Sequence, residues 1–176
     1  DGRKEECVRC MKLMEIDPEG KSCRMYISRT MSTQGLRKVC HPESLYDQLL
    51  AGGCGYPRPQ SNSGTHDPEI VVDIMIDTWR TAAEYQSKCL NYAMNELGYE
   101  VVFSHFHSVD LIEHNFIRFM SDKGHNVNSE EVYDMFMQEN YKLCDEYIGT
   151  FLHLLDEGWT VIITSDHAQV CPKHDQ

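Results

Sequence analysis

Two short runs rich in β-branched and aromatic residues each follow a long helical pattern, and a glycine precedes each run. The runs are residues 99–106 and 159–165, and the glycines are Gly98 and Gly158. Glycine commonly ends helices, and runs of this composition are typical of strands buried in a parallel sheet. The order helix, strand, helix, strand therefore predicts an α/β fold with a parallel sheet flanked by helices.

An Asp and a His follow each run. Asp110 and His114 lie in HSVDLIEH, and Asp166 and His167 lie in TSDHAQ. In open α/β sheets, ligands bind beyond the carboxyl ends of the strands. Carboxylate oxygen and imidazole nitrogen bind zinc, manganese and iron, and the absence of cysteine from both motifs argues against a closed thiolate site. The two motifs therefore predict two parts of one metal site.

The spacing within each motif sets a geometric condition. Asp110 and His114 are four residues apart, so they share one face if the segment is helical. Asp166 and His167 are adjacent, so they converge only if the chain turns where the strand ends. Each residue alone also has an ordinary structural interpretation: Asp110 as an N-cap, His114 as an exposed helix residue, and the second pair as loop polarity. The joint placement favours the metal site.

The two motifs, in this order, resemble the alkaline phosphatase superfamily, most closely its type I phosphodiesterase and nucleotide pyrophosphatase branch. HSVDLIEH comes first, a helix of about thirty residues follows, and VIITSDHA comes after it. The resemblance implies a partial alkaline-phosphatase-like parallel sheet and two divalent metal ions, zinc or manganese. It implies that Asp110 and His114 bind one ion and that Asp166 and His167 bind the other.

Other parts of the family pattern have no match in this sequence. The family has a further metal-binding Asp, a nucleophilic Thr or Ser at a helix start, and a last His ligand, for which His174 is too close to His167. We therefore expect an internal fragment of a larger enzyme, inactive alone. Many relatives also have a glycine before the His of the first motif, where this chain has Glu113.

The implied activity is that of a metal-dependent phosphoryl-transfer hydrolase, which forms a covalent phospho-enzyme on a small phosphorylated substrate or nucleotide. The alternatives are a phosphomutase or sulfatase relative, or a non-catalytic metal-binding or interaction domain. His107 and His105 flank the end of the first strand and point to the same side. Either could orient a ligand or contact phosphate. The ordinary alternative, a hydrogen-bonded histidine near a strand end, is favoured for His105.

Two regions are expected along the chain. Residues 1–68 form a β-hairpin and an irregular capping or connecting region, and residues 69–176 form the α/β metal-binding portion. The hairpin turn is Asp17-Pro-Glu-Gly20, flanked by two alternating runs. The expected strands are 8–16 and 22–27, and the expected helices are 43–50, 68–97 and 129–155, the last capped by Ser129.

Charge and hydropathy restrict the partners. A net charge of −12 argues against direct binding to a nucleic-acid backbone, because phosphate contacts need clustered Lys and Arg. No apolar run is long enough to span a bilayer, and no membrane partner is expected. If the sheet lacks neighbouring strands, its edges should promote self-association.

The eight cysteines are irregularly spaced. This spacing favours reduced thiols and a cytoplasmic location. The alternative is a zinc knuckle built from Cys7 and Cys10 with Cys23 or Cys40, although its second half lacks a paired spacing.

Overall fold

The computed structural model describes residues 4–58, 68–113 and 130–167. The chain divides into two compact units, Asp1–Phe103 and Ser104–Gln176. The predicted boundary at residue 68 stays a prediction. In chain order the elements are β1 (Cys7–Val8), β2 (Met11–Ile16), β3 (Cys23–Ile27), β4 (Met31–Ser32), α1 (Thr33–Lys38), α2 (Ser44–Ala51), α3 (Pro68–Asn95), α4 (108–113), α5 (Glu130–Gly149) and α6 (His153–Asp156).

The predicted hairpin is confirmed, but its first strand is Met11–Ile16 rather than 8–16, because Val8 belongs to β1, which pairs with β4. Strands β2 and β3 pair antiparallel, from Met11 opposite Ile27 to Ile16 opposite Cys23. In the turn, the Asp17 carboxylate accepts hydrogen bonds from the backbone N–H groups of Glu19 and Lys21, at 3.3 and 3.2 Å. Gly20 closes the turn with a φ of 71°, a conformation that glycine adopts without steric cost. The turn chemistry thus fixes the hairpin locally.

The hairpin contacts α3 within the first unit through the side chain of Lys12. The ammonium group of Lys12 donates to the backbone carbonyl of Asp73 and lies 2.6 Å from the carboxylate of Asp77. Helix α3 agrees with its prediction, and its apolar side chains form most of the core of this unit. The buried residues of α3 include Ile74, Met75, Trp79, Ala82, Ala83 and Met94.

The region predicted to be irregular contains one more helix than expected. Helix α1 begins after Ser32, whose hydroxyl accepts a hydrogen bond of 2.9 Å from the N–H of Gly35. This N-cap satisfies a donor that the first turn leaves without an intrahelical partner. Ser32, followed by Thr33, is the residue in the sequence that indicated this N-cap. Helix α2 confirms the other short helix of the region, shifted by one residue.

Helix α5 forms the core of the second unit with the segment that carries the first motif. The Tyr147 ring stacks on Phe106 at 4.4 Å between centroids, and its hydroxyl lies 2.7 Å from that of Ser104. The predicted helix 129–155 is interrupted. Helix α5 ends at Gly149, where the Thr150 hydroxyl donates to the carbonyl of Tyr147 at 2.7 Å, and α6 follows. Ser129, the predicted cap, lies outside the described residues.

The described residues combine helices with two small antiparallel sheets and do not form the predicted parallel sheet. Residues 99–106 and 159–165 have no strand ladder, and Val101, Phe103 and Ile162 are 88%, 87% and 82% exposed. A strand needs a neighbour for its N–H and C=O groups, and neither run has one in the described part of the chain. None of the helices described is long and apolar enough to cross a bilayer.

Candidate functional site

The first motif begins α4 in the second unit. Asp110 is the third residue of α4, so the interpretation of Asp110 as an N-cap is wrong. Its carboxylate Oδ2 lies 2.6 Å from Nε2 of His107, one turn earlier. Its side chain is only 21% exposed, so the carboxylate is largely sheltered from water. The hydrogen bond to His107 therefore fixes the direction of the Asp110 side chain.

Helix α5 anchors the start of α4. The fully buried hydroxyl of Ser108 lies 3.3 Å from the thiol of Cys144. Ile112, four residues later, is also fully buried. Residues four apart share one face of a helix, so Asp110, two residues from each, lies on the opposite side of α4. Sequence reasoning missed this anchor, although the spacing of Ser108 and Ile112 carried the signal.

The second motif lies on an exposed turn at the end of the run 159–165. The Asp166 carboxylate accepts a 3.0 Å hydrogen bond from the backbone N–H of His167 and lies 3.5 Å from the His167 ring nitrogen Nε2. The hydroxyl of Ser165 donates to the carbonyl of His167 at 2.9 Å. The chain bends at residue 166, as convergence of the two side chains requires. The turn thus holds the Asp166 carboxylate and the His167 imidazole, two candidate metal ligands, on one side.

Local interactions lower the pKa of Asp166 below its ordinary value. Desolvation acts in the opposite direction, but the N–H groups of Asp166 and His167 and the imidazoles of His167 and His105 stabilise the charged carboxylate. An aspartate is ionised at neutral pH already, and the lowered pKa extends this metal-binding form to more acidic pH. The effect of His105 also indicates that the second motif lies near the end of the run 99–106.

Two neighbouring histidines interact with both motifs. The ring centroids of His105 and His107 are 4.7 Å apart, in agreement with the prediction that the two point to the same side. His107 contacts Asp110, and His105 acts electrostatically on Asp166. Both motifs thus interact with the same pair of histidines. His114, the fourth predicted ligand, lies outside the described residues.

The candidate ligands have the chemistry that metal ions bind. Asp110 and Asp166 supply carboxylate oxygens and His167 supplies an imidazole nitrogen, a set that zinc and manganese accept. Across residues 4–58, 68–113 and 130–167, however, no three His, Cys, Asp or Glu side chains are grouped closely enough to hold one ion. The zinc knuckle considered for Cys7 and Cys10 is therefore not formed there. The described cysteines are free thiols.

Comparison with known proteins identifies a family. The model of the type I phosphodiesterase / nucleotide pyrophosphatase family matches residues 25–172, which is more than half of the chain and includes both motifs. No curated protein and no solved structure matches the chain significantly. The family match confirms the resemblance found in the motifs HSVDLIEH and VIITSDHA. The chain belongs to the type I phosphodiesterase / nucleotide pyrophosphatase family.

Proposed function

We propose that the chain carries the metal-binding part of a metal-dependent phosphoryl-transfer hydrolase. The family supports a phosphodiesterase or pyrophosphatase activity at a general level. Asp110 and His114 hold one divalent ion and Asp166 and His167 the other, and both ions are zinc or manganese. The observation that carries this proposal is the hydrogen bond of His107 to Asp110 together with the contact of His107 with His105, which acts electrostatically on Asp166 in the second motif.

The protein side of the chemistry follows from the contacts of these residues. Bound divalent ions would polarise the phosphoryl oxygens and stabilise the negative charge that develops during transfer. His107 fixes the direction of the Asp110 carboxylate, because their hydrogen bond is short. The lowered pKa of Asp166 keeps its carboxylate ionised to more acidic pH than an ordinary aspartate. His105, whose ring centroid lies 4.7 Å from that of His107, adds a second imidazole that we propose orients a ligand or contacts phosphate.

The substrate we propose is a small phosphorylated molecule or a nucleotide, in a cytoplasmic setting. An overall charge of −12 disfavours contact with a nucleic-acid backbone, while two divalent ions supply local positive charge for one phosphoryl group. We further propose that residues 99–106 and 159–165 pair in a parallel sheet with strands of the same fold. Their exposed apolar side chains support this pairing and favour self-association when it is incomplete.

Titration of the chain with zinc and with manganese in a calorimeter tests the proposal. We expect the wild type to bind, and Asp110→Asn and Asp166→Asn each to weaken binding by roughly tenfold or more, because each removes a charged ligand. Asp145→Asn, which changes an exposed carboxylate on α5, is the matched control and should bind like the wild type. Absence of binding by the wild type, or equal losses in all three variants, would contradict the proposal.

A further inference from the structure

A small pocket in the first unit is lined by two arginines. Arg9 and Arg58 face a space of about 210 Å³, together with Tyr56 and Cys10. Apolar walls come from Val8 and Met31. No acidic side chain from the described residues lines this pocket. Its surface is therefore positive in a protein whose overall charge is −12.

The two guanidinium groups donate hydrogen bonds to uncharged side chains. Arg9 donates from Nε to the Thr30 hydroxyl at 2.6 Å, and Arg58 donates from Nη1 to the Cys10 sulfur at 3.7 Å. Neither arginine pairs with a carboxylate among the residues that the structure describes. Arg24 of the same unit, in contrast, pairs with the carboxylate of Glu15. Most donors of Arg9 and Arg58 therefore lack a charged acceptor.

Two like charges that share a pocket repel each other, and an anion between them removes the repulsion. The planar guanidinium group presents paired N–H donors that match the oxygens of phosphate. The volume is below the range of about 300–1,000 Å³ typical of sites for whole small molecules, so the pocket fits one anionic group rather than a complete nucleotide. The chemistry and the size together indicate a single phosphate.

We propose that Arg9 and Arg58 form a binding site for the phosphate group of a small phosphorylated molecule. This site goes beyond the proposed metal chemistry, because it contains no residue of either motif and needs no metal ion. Arg9 and Arg58 bind the phosphate oxygens, and the Tyr56 side chain contacts the group attached to the phosphate.

The test follows the side-chain Nε–Hε signals of the arginines by NMR during titration with inorganic phosphate, in metal-free buffer. We expect the Arg9 and Arg58 signals to shift and saturate, with a Kd on the order of 1 mM. Arg9→Gln and Arg58→Gln should each weaken binding by roughly tenfold, because each removes a charge-assisted hydrogen bond. Arg24→Gln, which changes the paired arginine of the hairpin, should not weaken it.

Three results would overturn the proposal: no saturation with phosphate, the same shifts with sodium chloride at equal ionic strength, or an equal loss in Arg24→Gln. Ribose 5-phosphate then identifies the source of the phosphate. Tighter binding of this ester supports a phosphorylated organic molecule, whereas binding no tighter than that of inorganic phosphate overturns that part of the proposal. Because no metal is present, failure here is distinguishable from failure of the metal site.

Discussion

At the scale of single residues, His107 is the side chain that gives Asp110 a defined direction. A histidine that binds the carboxylate of a metal ligand limits the rotamers the carboxylate can adopt before the ion arrives. The 2.6 Å contact between Nε2 and Oδ2 is short enough to have this effect. His107 is thus a positioning residue of the proposed site.

Replacing His107 should therefore weaken metal binding without removing a ligand. We expect His107→Ala to lower zinc affinity by about 10- to 100-fold, the usual effect of removing a group that orients a ligand. Calorimetric titration measures the change, and circular dichroism checks that α4 and α5 remain folded. Asp110→Asn should have the larger effect, because it removes the ligand itself.

His153→Ala is the matched control, since His153 is an exposed histidine of the same unit, on α6. Its zinc affinity should equal that of the wild type. If His107→Ala instead bound zinc more tightly, the His107 contact would compete with the ion for Asp110, and the positioning role would be wrong.

The sequence supplies the candidate ligands, which stay predictions, but not the contacts between their side chains. Asp110, Asp166 and His167 follow from the order of strand-like runs and polar motifs. The bond between His107 and Asp110 depends on side-chain rotamers, and the effect of His105 on Asp166 depends on a non-local approach of two segments. Neither interaction can be predicted from the spacing of the residues in the sequence.

At the scale of elements, the C-terminus of α2 shows how two adjacent glycines meet different requirements. Gly53 has a φ of 76°, and its N–H bonds to the carbonyl of Leu50, while the N–H of Cys54 bonds to Leu49. This is the Schellman arrangement, which favours glycine at the left-handed position. Gly52 has no such φ, but a Cβ there would lie 2.3 Å from the ring of Tyr92 on α3. The glycine pair thus ends α2 and lets it approach α3 closely.

Gly52→Ala should consequently destabilise the first unit. We expect the free energy of unfolding to fall by about 1–3 kcal/mol, because the added methyl forces the Tyr92 ring to move. Urea denaturation measures the change. Gly149→Ala is the control: apart from its chain neighbours and its own helix backbone, no atom of the described residues lies within 4 Å of a Cβ there, so alanine should stabilise the protein by about 0.5–1 kcal/mol.

A double variant separates steric from backbone effects. If the clash with the ring is the cause, Tyr92→Ala should make the additional Gly52→Ala substitution nearly neutral. An unchanged cost of Gly52→Ala in that background would mean that the backbone, rather than the contact with Tyr92, requires glycine.

Elements with local signals were predicted well, and elements that need distant partners were not. The hairpin follows from Asp17-Pro-Glu-Gly20, and α3 follows from one continuous apolar stripe. A parallel strand, in contrast, is stabilised only by a neighbour that lies far along the chain. The runs 99–106 and 159–165 have the composition of strands, but composition cannot supply the pairing.

At the scale of the whole molecule, partly buried tyrosines should make the fold sensitive to alkali. Burial is the first cause of a raised pKa for tyrosines in both units, and the largest effect is at Tyr85 of α3, which also hydrogen-bonds to the thiol of Cys89. A raised folded-state pKa means that the unfolded chain loses its proton first. The stabilisation is complete below the unfolded pKa of about 10 and is lost as pH rises through the folded-state pKa.

Tyr85→Phe should accordingly reduce the alkaline loss of stability. Phenylalanine keeps the buried ring and has no proton to lose, so the fall in unfolding free energy between about pH 9 and pH 11 should shrink by on the order of 1 kcal/mol. Near neutral pH the variant should be slightly less stable, because it lacks the hydrogen bond to Cys89. Urea denaturation at several pH values, followed by circular dichroism, measures both effects.

Tyr99→Phe is the control, because it changes an exposed tyrosine of the same unit and should leave the pH dependence as it is in the wild type. Equal pH dependence in Tyr85→Phe and the wild type would show that other groups, such as the Cys40 and Cys89 thiols whose pKa burial also raises, cause the sensitivity to alkali.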